Sequence, residues 1–167
     1  MKIRNAVLSD LEAIYNIEKQ CFPFGEAASK KQLEERLKIF SEHFWVLETE
    51  DGIIGFINGM VTDLPDLDDT MYENAVLHSK NGAWQMVFGL DVLPEYQHNG
   101  YASMLMDHLI QSTKNAERNG VVLTCKKELL EFYQKFGFRN EGISQSVHGG
   151  AVWYQMRLIL NETDVIE

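Results

Sequence analysis

Residues 90–102, with the sequence LDVLPEYQHNGYA, decide the fold of this chain. The segment predicts a buried strand, a turn and the start of a helix, in that order. A helix N-terminus presents unpaired backbone N–H groups and the positive end of the helix dipole, and both favour a bound phosphate. Because Gly100 and Ala102 are small, a ligand can approach the backbone closely. The pattern Gln97-x-x-Gly100-x-Ala102 therefore suits a pyrophosphate, although alone it also fits an ordinary helix that follows a glycine turn.

A second motif, EFYQKFGF at residues 131–138, predicts a helix end, a glycine cap at Gly137 and a strand. Together, in this order and spacing, the two motifs resemble those of the GNAT superfamily of N-acetyltransferases. The resemblance implies that the turn after Gln97 cradles the pyrophosphate of coenzyme A. It also implies that Tyr133 lies beside the thioester sulfur and protonates the departing thiolate. An aromatic residue that only packs on its neighbours is the alternative for Tyr133.

Within the superfamily, the sequence is most similar to the serotonin (arylalkylamine) N-acetyltransferase group. The features that carry this likeness are Phe22-Pro23, residues 26–29, residues 77–79, residues 90–92, the Gln97 turn and Phe132-Tyr133. The likeness implies that the backbone of the strand at 90–92 pairs with the pantetheine arm. The residues that we expect to bind acetyl-CoA are Leu90, Asp91, Val92, Gln97, His98, Asn99, Gly100, Tyr101, Ala102 and Ser103.

The strand that leads to this turn departs from the family pattern. The serotonin group carries two histidines there as a proton relay, and they correspond to Met86 and Phe88 in this chain. The glutamate that other members place on this strand corresponds to Met86 as well. Neither side chain accepts a proton, so the sequence questions both the histidine relay and serotonin as a substrate.

A protonated amine must lose a proton before it can attack a thioester, because its lone pair is occupied at neutral pH. The candidate proton acceptors are Glu26, His78 and His148, and we predict that Glu26 acts in catalysis together with Tyr133. A solvated loop carboxylate and surface histidines are the alternatives. We expect direct attack through a ternary complex, because no Cys-His or Ser-His pair stands out and Cys125 reads as a buried strand residue.

Fewer residues are predicted for the side of the site that binds the acceptor substrate than for the acetyl-CoA side. Phe24, Thr124 and His148 are the predicted substrate-binding residues, and the acidic run at residues 63–73 either attracts a cationic acceptor or is a solvated loop. We expect a small-molecule amine, of arylalkylamine or polyamine type, as substrate. The alternatives are transfer to a peptide or protein N-terminus, a non-catalytic CoA-binding module, and an unrelated α/β domain.

The periodicity along the chain predicts the order β-α-α-β-β-loop-β-α-β-α-β-β. This order describes an α/β (α+β) domain with a mixed sheet and helices on both faces, and the resemblance makes that sheet GNAT-like and mostly antiparallel. Capping boxes at Ser9/Glu12 and Ser29/Gln32 predict the first two helix starts. Residues 84–92 read as one strand. We assign residues 1–160 to a single domain and expect residues 161–167 to be a frayed tail.

The composition narrows the functional class. A formal net charge of −10 over 167 residues argues against nucleic acid, which needs a basic face. The two cysteines are expected to be free thiols, and no spacing suggests a metal site. The chain shows neither a signal peptide nor an apolar run of the roughly 20 residues that crosses a membrane, so a cytoplasmic location without membrane association is the expectation. The oligomeric state stays open, with a homodimer through the last strands as one alternative.

Overall fold

The computed structural model describes residues 1–161. The strands in this range are β1 (Lys2–Asn5), β2 (Phe44–Thr49), β3 (Gly52–Asn58), β4 (Val61–Thr62), β5 (Trp84–Val87), β6 (Gly89–Val92), β7 (Gly120–Cys125), β8 (Arg139–Ile143) and β9 (Tyr154–Ile159). The α-helices are α1 (Leu11–Cys21), α2 (Lys30–Phe40), α3 (Asp69–Glu73), α4 (Tyr101–Asn115) and α5 (Leu130–Gln134). The predicted frayed tail lies outside the described residues except for its first residue.

Two sheets form the centre of the fold. One has the strand order β1-β2-β3-β6 and is antiparallel throughout, and the other has the order β4-β5-β7-β9-β8. In the second sheet β5 and β7 run parallel, and the other pairs are antiparallel. The predicted fold class, a mixed and mostly antiparallel sheet, is therefore confirmed.

Helices cover both faces of the sheet, as predicted. Successive residues of a strand point to opposite faces, and β2 shows the consequence. Leu47 packs in one buried cluster with Leu105 of α4, whereas Val46 packs in another with Ile14 of α1 and Leu33 of α2. The two cores hold α4 on one face and α1 with α2 on the other.

The predicted capping box at the start of α2 is confirmed. The Ser29 hydroxyl accepts the Gln32 N–H at 3.1 Å, and the Gln32 side chain accepts the Ser29 N–H at 2.9 Å. Two otherwise unpaired backbone donors are satisfied in this way. The start of α2 is thereby fixed directly after the loop that borders the site.

The predicted Ser9/Glu12 capping box at the start of α1 is wrong. A short 3-10 turn precedes α1, and Asp10 occupies the cap position. The Asp10 carboxylate accepts the Val7 N–H at 2.8 Å and two further bonds from the Arg4 guanidinium at 2.8 and 3.0 Å. A charge-assisted, bidentate contact of this kind is stronger than a hydroxyl cap, so the helix begins where Arg4 holds Asp10.

The predicted single strand at residues 84–92 is divided at Phe88. Up to Val87 the chain pairs with β7, and from Gly89 onward it pairs with β3. The Phe88 N–H donates to the Asn58 carbonyl oxygen at 2.7 Å and marks the change of partner. The two sheets separate here, and a gap opens between β6 and β7.

The neighbouring histidines His43 and His78 make the stability of the fold depend on pH. His43 is buried, its Nδ1 lies 2.9 Å from Oε1 of Gln85, and its ring centre lies 5.3 Å from that of His78. Burial lowers the pKa of His43 to about 4, and the pKa of His78 is lowered for the same reason. On acidification, His43 therefore takes up a proton near pH 6.5 in the unfolded chain but only near pH 4 in the folded chain.

Acidification is expected to destabilise the protein through His43. Neutral, buried His43 contributes its full stabilisation of the fold above pH 6.5, and this contribution is lost as the pH falls toward 4. The loss of unfolding free energy amounts to about 2 kcal/mol at pH 5. Urea unfolding at pH 7.5 and at pH 5 measures the loss. In His43→Gln, which keeps a polar side chain beside Gln85, the pH dependence should shrink by about that amount. An identical dependence in both proteins would contradict the assignment.

Candidate active site

The gap between β6 and β7 exposes one edge of β6. The Leu93 N–H donates to the Ile54 carbonyl oxygen at 2.9 Å, and in an antiparallel ladder every second residue bonds to the same neighbour. Leu90 and Val92 therefore direct their main-chain groups away from β3 and toward the gap. The Val92 carbonyl oxygen accepts the Gln97 side-chain amide there at 2.9 Å. This exposed edge is the place that the resemblance implies for a pantetheine arm.

The turn before α4 has the geometry of an anion cradle. Two residues have left-handed backbone, His98 with φ 65° and Gly100 with φ 84°. The first hydrogen bond of the helix runs from the Met104 N–H to the Gly100 carbonyl oxygen at 3.1 Å. The N–H groups of residues 101–103 therefore have no acceptor within the helix. A methyl group built on Gly100 would meet no atom within 4 Å, so the cradle is open to a ligand.

A groove of about 450 Å³ runs from this cradle along β6. Its lining residues are Cys21, Phe22, Leu90, Val92, Tyr96, Gln97, His98, Gly100, Tyr101, Ala102, Ser103, Leu129, Phe132 and Tyr133. The structure thus brings together eight of the ten predicted coenzyme-binding residues. Asn99 and Asp91 lie elsewhere: the exposed Asn99 amide donates to carbonyls of its own turn, and the Asp91 side chain is buried on the opposite side of β6.

A second cavity of about 270 Å³ lies deeper, between β6, β7 and the loop that joins α1 to α2. Tyr133 lines both this cavity and the groove, so its side chain stands at their junction. The ring contacts Phe132 and Phe138 edge-on. Burial raises the pKa of Tyr133, so its hydroxyl stays protonated at neutral pH. A protonated hydroxyl at this junction can donate to a group that arrives along the groove.

Glu26 lies in the wall of the inner cavity as half of an ion pair. Its side chain is 10% exposed, and Nζ of Lys126 lies 2.7 Å from one carboxylate oxygen and 2.9 Å from the other. The pair joins the α1–α2 loop to the segment after β7. A proton donor that reaches Glu26 therefore competes with the Lys126 ammonium for the same oxygens.

His148 closes the cavity from the segment between β8 and β9. Its Nε2 lies 2.7 Å from the Glu26 carbonyl oxygen, and its ring stacks on Tyr72 with the centroids 5.0 Å apart. The Tyr72 hydroxyl lies 3.2 Å from Oγ1 of Thr124, and the Trp153 indole donates to the His148 carbonyl oxygen at 2.8 Å. Glu26, Thr124 and His148, which the sequence placed far apart, thus share one cavity.

Two of the candidate residues are not part of the site. The Phe24 side chain is fully exposed and lines neither the groove nor the cavity. His78 lies beside His43, and its Nδ1 accepts the N–H of Val61, the first residue of β4, at 3.0 Å. It therefore packs outside both the groove and the cavity. The sequence could not separate these residues from the others, because each occurs in a polar segment whose path depends on tertiary contacts.

The acidic run at residues 63–73 holds other parts of the chain in place. Asp66 forms an ion pair with Arg157 at 2.7 Å, and the Asp69 carboxylate accepts the Ser146 hydroxyl and the Val147 N–H. Asp69 therefore holds the segment that carries His148, whereas Asp66 is bound to β9. The interpretation of the whole run as a free attractor for cations does not fit these two residues.

The charged and aromatic lining residues that the sequence analysis did not predict include Glu18, Arg36, Tyr72 and Lys126. Arg36 could have been found, because it shares the buried face of α2 with Leu33, Leu37 and Phe40 at helical spacing. The other three carried no signal, since charged and aromatic residues at such spacings usually face solvent or the core.

Other kinds of site are not indicated in the part of the chain that the structure describes. Residues 1–161 hold no group of three or more His, Cys, Asp or Glu side chains that could bind a metal ion. Within the same range, no helix has the length and apolar character that a bilayer crossing requires. Cys21 and Cys125 are free thiols, as predicted.

The divided sheet, the open turn before α4 and the groove along β6 are the features of this fold that the comparisons address. Residues 40–140 match the family model described as "Acetyltransferase (GNAT) domain", and the chain belongs to this family. The likeness to the serotonin N-acetyltransferase group remains a prediction.

Known proteins support the fold. The chain superposes on the GphF GNAT-like decarboxylase in complex with isobutyryl-CoA with a TM-score of 0.83 and 23% identity, covering 96% of this chain and 100% of that one. For the ribosomal-protein-S18-alanine N-acetyltransferase from Escherichia coli the TM-score is 0.72, with 18% identity over 96% and 94% of the two chains. A GNAT family acetyltransferase from Brucella melitensis, in complex with acetyl-CoA, has a TM-score of 0.62 with 17% identity over 96% and 88%.

The probable hydrolase YhcX from Bacillus subtilis is 26% identical over 124 residues, which are 71% of this chain and 24% of the relative. The chain thus spans about a quarter of that relative's length. Two of these structures were solved with a coenzyme A thioester, acetyl-CoA in the Brucella melitensis protein and isobutyryl-CoA in GphF. An acetyl-CoA-dependent acetyltransferase activity is what the family supports.

Proposed function

We propose that this chain transfers the acetyl group of acetyl-CoA to the primary amine of a small molecule of arylalkylamine or polyamine type. The observation that carries the small acceptor is the pair of contacts that bridge the wall of the inner cavity. The segment around His148 contacts the Glu26 backbone, and Lys126 is bound to the Glu26 carboxylate. These bridges leave about 270 Å³, which suits a small amine better than an extended polypeptide.

The residues of the groove position acetyl-CoA as substrate. The free N–H groups at the start of α4, together with the turn after Gln97, bind the diphosphate. The exposed edge of β6 at Leu90 and Val92 binds the pantetheine arm, and the thioester then reaches Tyr133. The N–H near Leu90 stabilises the oxyanion that develops on the thioester carbonyl.

The acceptor amine attacks the thioester carbon directly in a ternary complex. A C–N bond forms and the C–S bond breaks, and the Tyr133 hydroxyl supplies the proton that the departing thiolate takes. Glu26, which the sequence predicts as the proton acceptor, is held by Lys126 in the structure, and its carboxylate binds the incoming ammonium group once Lys126 is displaced. Thr124 and His148 line the acceptor side of the same cavity.

An amine panel with acetyl-CoA tests this function, with released thiol as the readout. We expect thiol release to depend on an arylalkylamine or a polyamine and to follow saturation kinetics. Phe24→Ala is the matched control: because its side chain lies in solvent, the KM for the amine should change less than twofold. Mass analysis of a peptide library covers the alternative of N-terminal transfer. Silence with every amine, while coenzyme A still binds, would reject the proposal in favour of a binding module.

A second candidate is decarboxylation of an acyl-CoA that carries a carboxylate beside the thioester. Two cations, Arg36 and Lys126, line the cavity, and this reaction needs no amine base at Met86 or Phe88. The C–C bond to the carboxylate breaks, its electron pair enters the thioester enolate, and a proton from solvent or Tyr133 completes the product. The GphF relative, described as a decarboxylase, motivates the test. Carbon dioxide and acetyl-CoA formed from malonyl-CoA would favour this candidate, and their absence would exclude it.

A further inference from the structure

A buried polar cluster lies behind the inner cavity, between the sheet and helices α1 and α2. Its members are Glu18 on α1, Arg36 on α2, Asn58 on β3 and Asp91 on β6, and all four are buried. Glu18 and Arg36 also line the inner cavity, so the cluster reaches the acceptor site. A methyl group built on Gly89 would lie 3.0 Å from Oδ1 of Asp91 and 3.9 Å from Oε1 of Glu18, so both carboxyl groups face Gly89.

Asp91 is the unusual member of this cluster. It is 1% exposed, and neither of its carboxylate oxygens has a hydrogen-bond donor among the described residues. The titratable and charged groups that face it are Glu18 and Cys21 from α1, Arg36 from α2 and Tyr133 from α5. After burial, Glu18 contributes most to the raised pKa of Asp91, through its charge and through a side-chain hydrogen bond. A buried carboxylate without any partner is costly, so its state needs an explanation.

A shared proton explains it. Two ionised carboxylates have no hydrogen to place between them and repel each other, whereas one proton between them makes a bond and removes a buried charge. Burial, followed by the Glu18 charge, raises the pKa of Asp91 well above its usual range. The single negative charge that is left on the pair faces the Arg36 guanidinium, which also donates to Oδ1 of Asn58 at 3.2 Å and to the Tyr72 carbonyl oxygen at 3.1 Å. The cluster is then electrically balanced.

We propose that Glu18 and Asp91 share one proton and that this carboxyl pair accepts the proton which the acceptor amine must lose. Glu18 makes the contact with the cavity, and its position is fixed because its Oε2 accepts the Ala28 N–H at 2.8 Å. Asp91 is a positioning residue that acts through Glu18. The proposal rests on the amine acetyltransfer described above, and it supplies the base that the apolar Met86 and Phe88 do not.

The reaction conserves protons. The ammonium group gives one proton to the pair, which passes from one bound proton to two. The free amine attacks the thioester, the thiolate leaves with the Tyr133 proton, and the second proton of the attacking nitrogen restores the Tyr133 hydroxyl. The pair then releases its extra proton to solvent, so that one amide, one thiol and one free proton result.

Asp91→Asn tests the pair, because it keeps the size of the side chain and removes the shared proton. Without the shared proton, the hydrogen bond that stabilises the ionised form of the pair is lost, and the remaining carboxylate is protonated at a higher pH. The acidic limb of the pH profile of kcat/KM should therefore move at least one pH unit higher, with the KM for acetyl-CoA unchanged. Glu18→Gln should lose at least a hundredfold in kcat. Glu12→Gln is the matched control, because Glu12 lies on the same helix with an exposed side chain outside the cavity, and it should leave the acidic limb in place.

Infrared difference spectroscopy gives a readout that does not need turnover. At pH 7 the wild-type protein should show the band of a protonated carboxyl group that Asp91→Asn lacks, and urea unfolding should confirm that the variant is folded. A missing band overturns the shared proton whatever the assay shows. An active enzyme whose acidic limb does not move in Asp91→Asn overturns the proton transfer. Inactivity with every amine, despite bound coenzyme A, refutes the acetyltransfer itself and is thereby distinguished from both.

Discussion

Tyr133→Phe is expected to lower kcat for acetyl transfer by about 100-fold or more while acetyl-CoA binds as before, because proton transfer by a positioned side chain typically contributes factors of this size. The hydroxyl stands at the junction of the groove and the inner cavity and stays protonated, since burial raises its pKa. Phenylalanine keeps the ring contacts with Phe132 and Phe138. The substitution therefore removes the proton donor and little else.

Steady-state kinetics and calorimetric binding of acetyl-CoA measure the two effects separately. Tyr72→Phe is the matched control, since it deletes a buried tyrosine hydroxyl that bonds to Thr124 but does not line the groove. We expect a loss below tenfold there. If Tyr133→Phe turns over as fast as the wild type, Tyr133 packs without acting in catalysis. If neither protein turns over although both bind acetyl-CoA, the binding module is the better description.

Ser103→Asp is expected to weaken the binding of coenzyme A by about 100-fold or more without destabilising the fold. Ser103 occupies the third position of α4, where the backbone N–H groups lack helical partners. An aspartate there complements the helix dipole and stabilises a helix by about 0.3–1 kcal/mol. The same negative charge repels a diphosphate in the cradle, and two unit charges 4 Å apart near a surface interact by about 4 kcal/mol.

Isothermal titration with coenzyme A and thermal unfolding of the same variant separate binding from folding. Ser103→Asn is the matched control, with similar size and no charge, and should bind within about fivefold of the wild type. A truncated acetyl-pantetheine thioester, which carries no diphosphate, should bind Ser103→Asp and the wild type equally. A variant that binds coenzyme A normally would show that the diphosphate lies elsewhere.

The local pattern of the sequence was sufficient for most of the elements and for the turn before α4. The strand at 90–92, the turn after Gln97 and the helix that follows are contiguous in the chain, so the placement of their unpaired backbone N–H groups is a local property. The same holds for Gly137 after α5, which adopts φ 100° as a helix-ending glycine does. The start of α1 was missed because the partner of Asp10 lies on β1, outside the local window.

The acceptor side depended on contacts between distant segments. Glu26 contacts Lys126 and His148, which are 100 and 122 residues away in the sequence, and nothing in their local sequence predicts these contacts. The division of the strand at Phe88 was also invisible, because an apolar run looks the same whether it pairs with one neighbour or with two. Phe24 was predicted at the site from its type and its loop, yet the loop turns it into solvent.

The sequence by itself determined the class of the chain: its helices, its phosphate cradle and the tyrosine that follows belong to short segments whose conformation is set by nearest neighbours. Only the tertiary structure decided which side chains can accept or donate a proton. The meeting of Glu18 and Asp91 beside Gly89, and the ion pair between Glu26 and Lys126, arise from elements that are far apart in sequence. Proton affinity depends on burial and on neighbouring charges, and both are properties of the packed molecule.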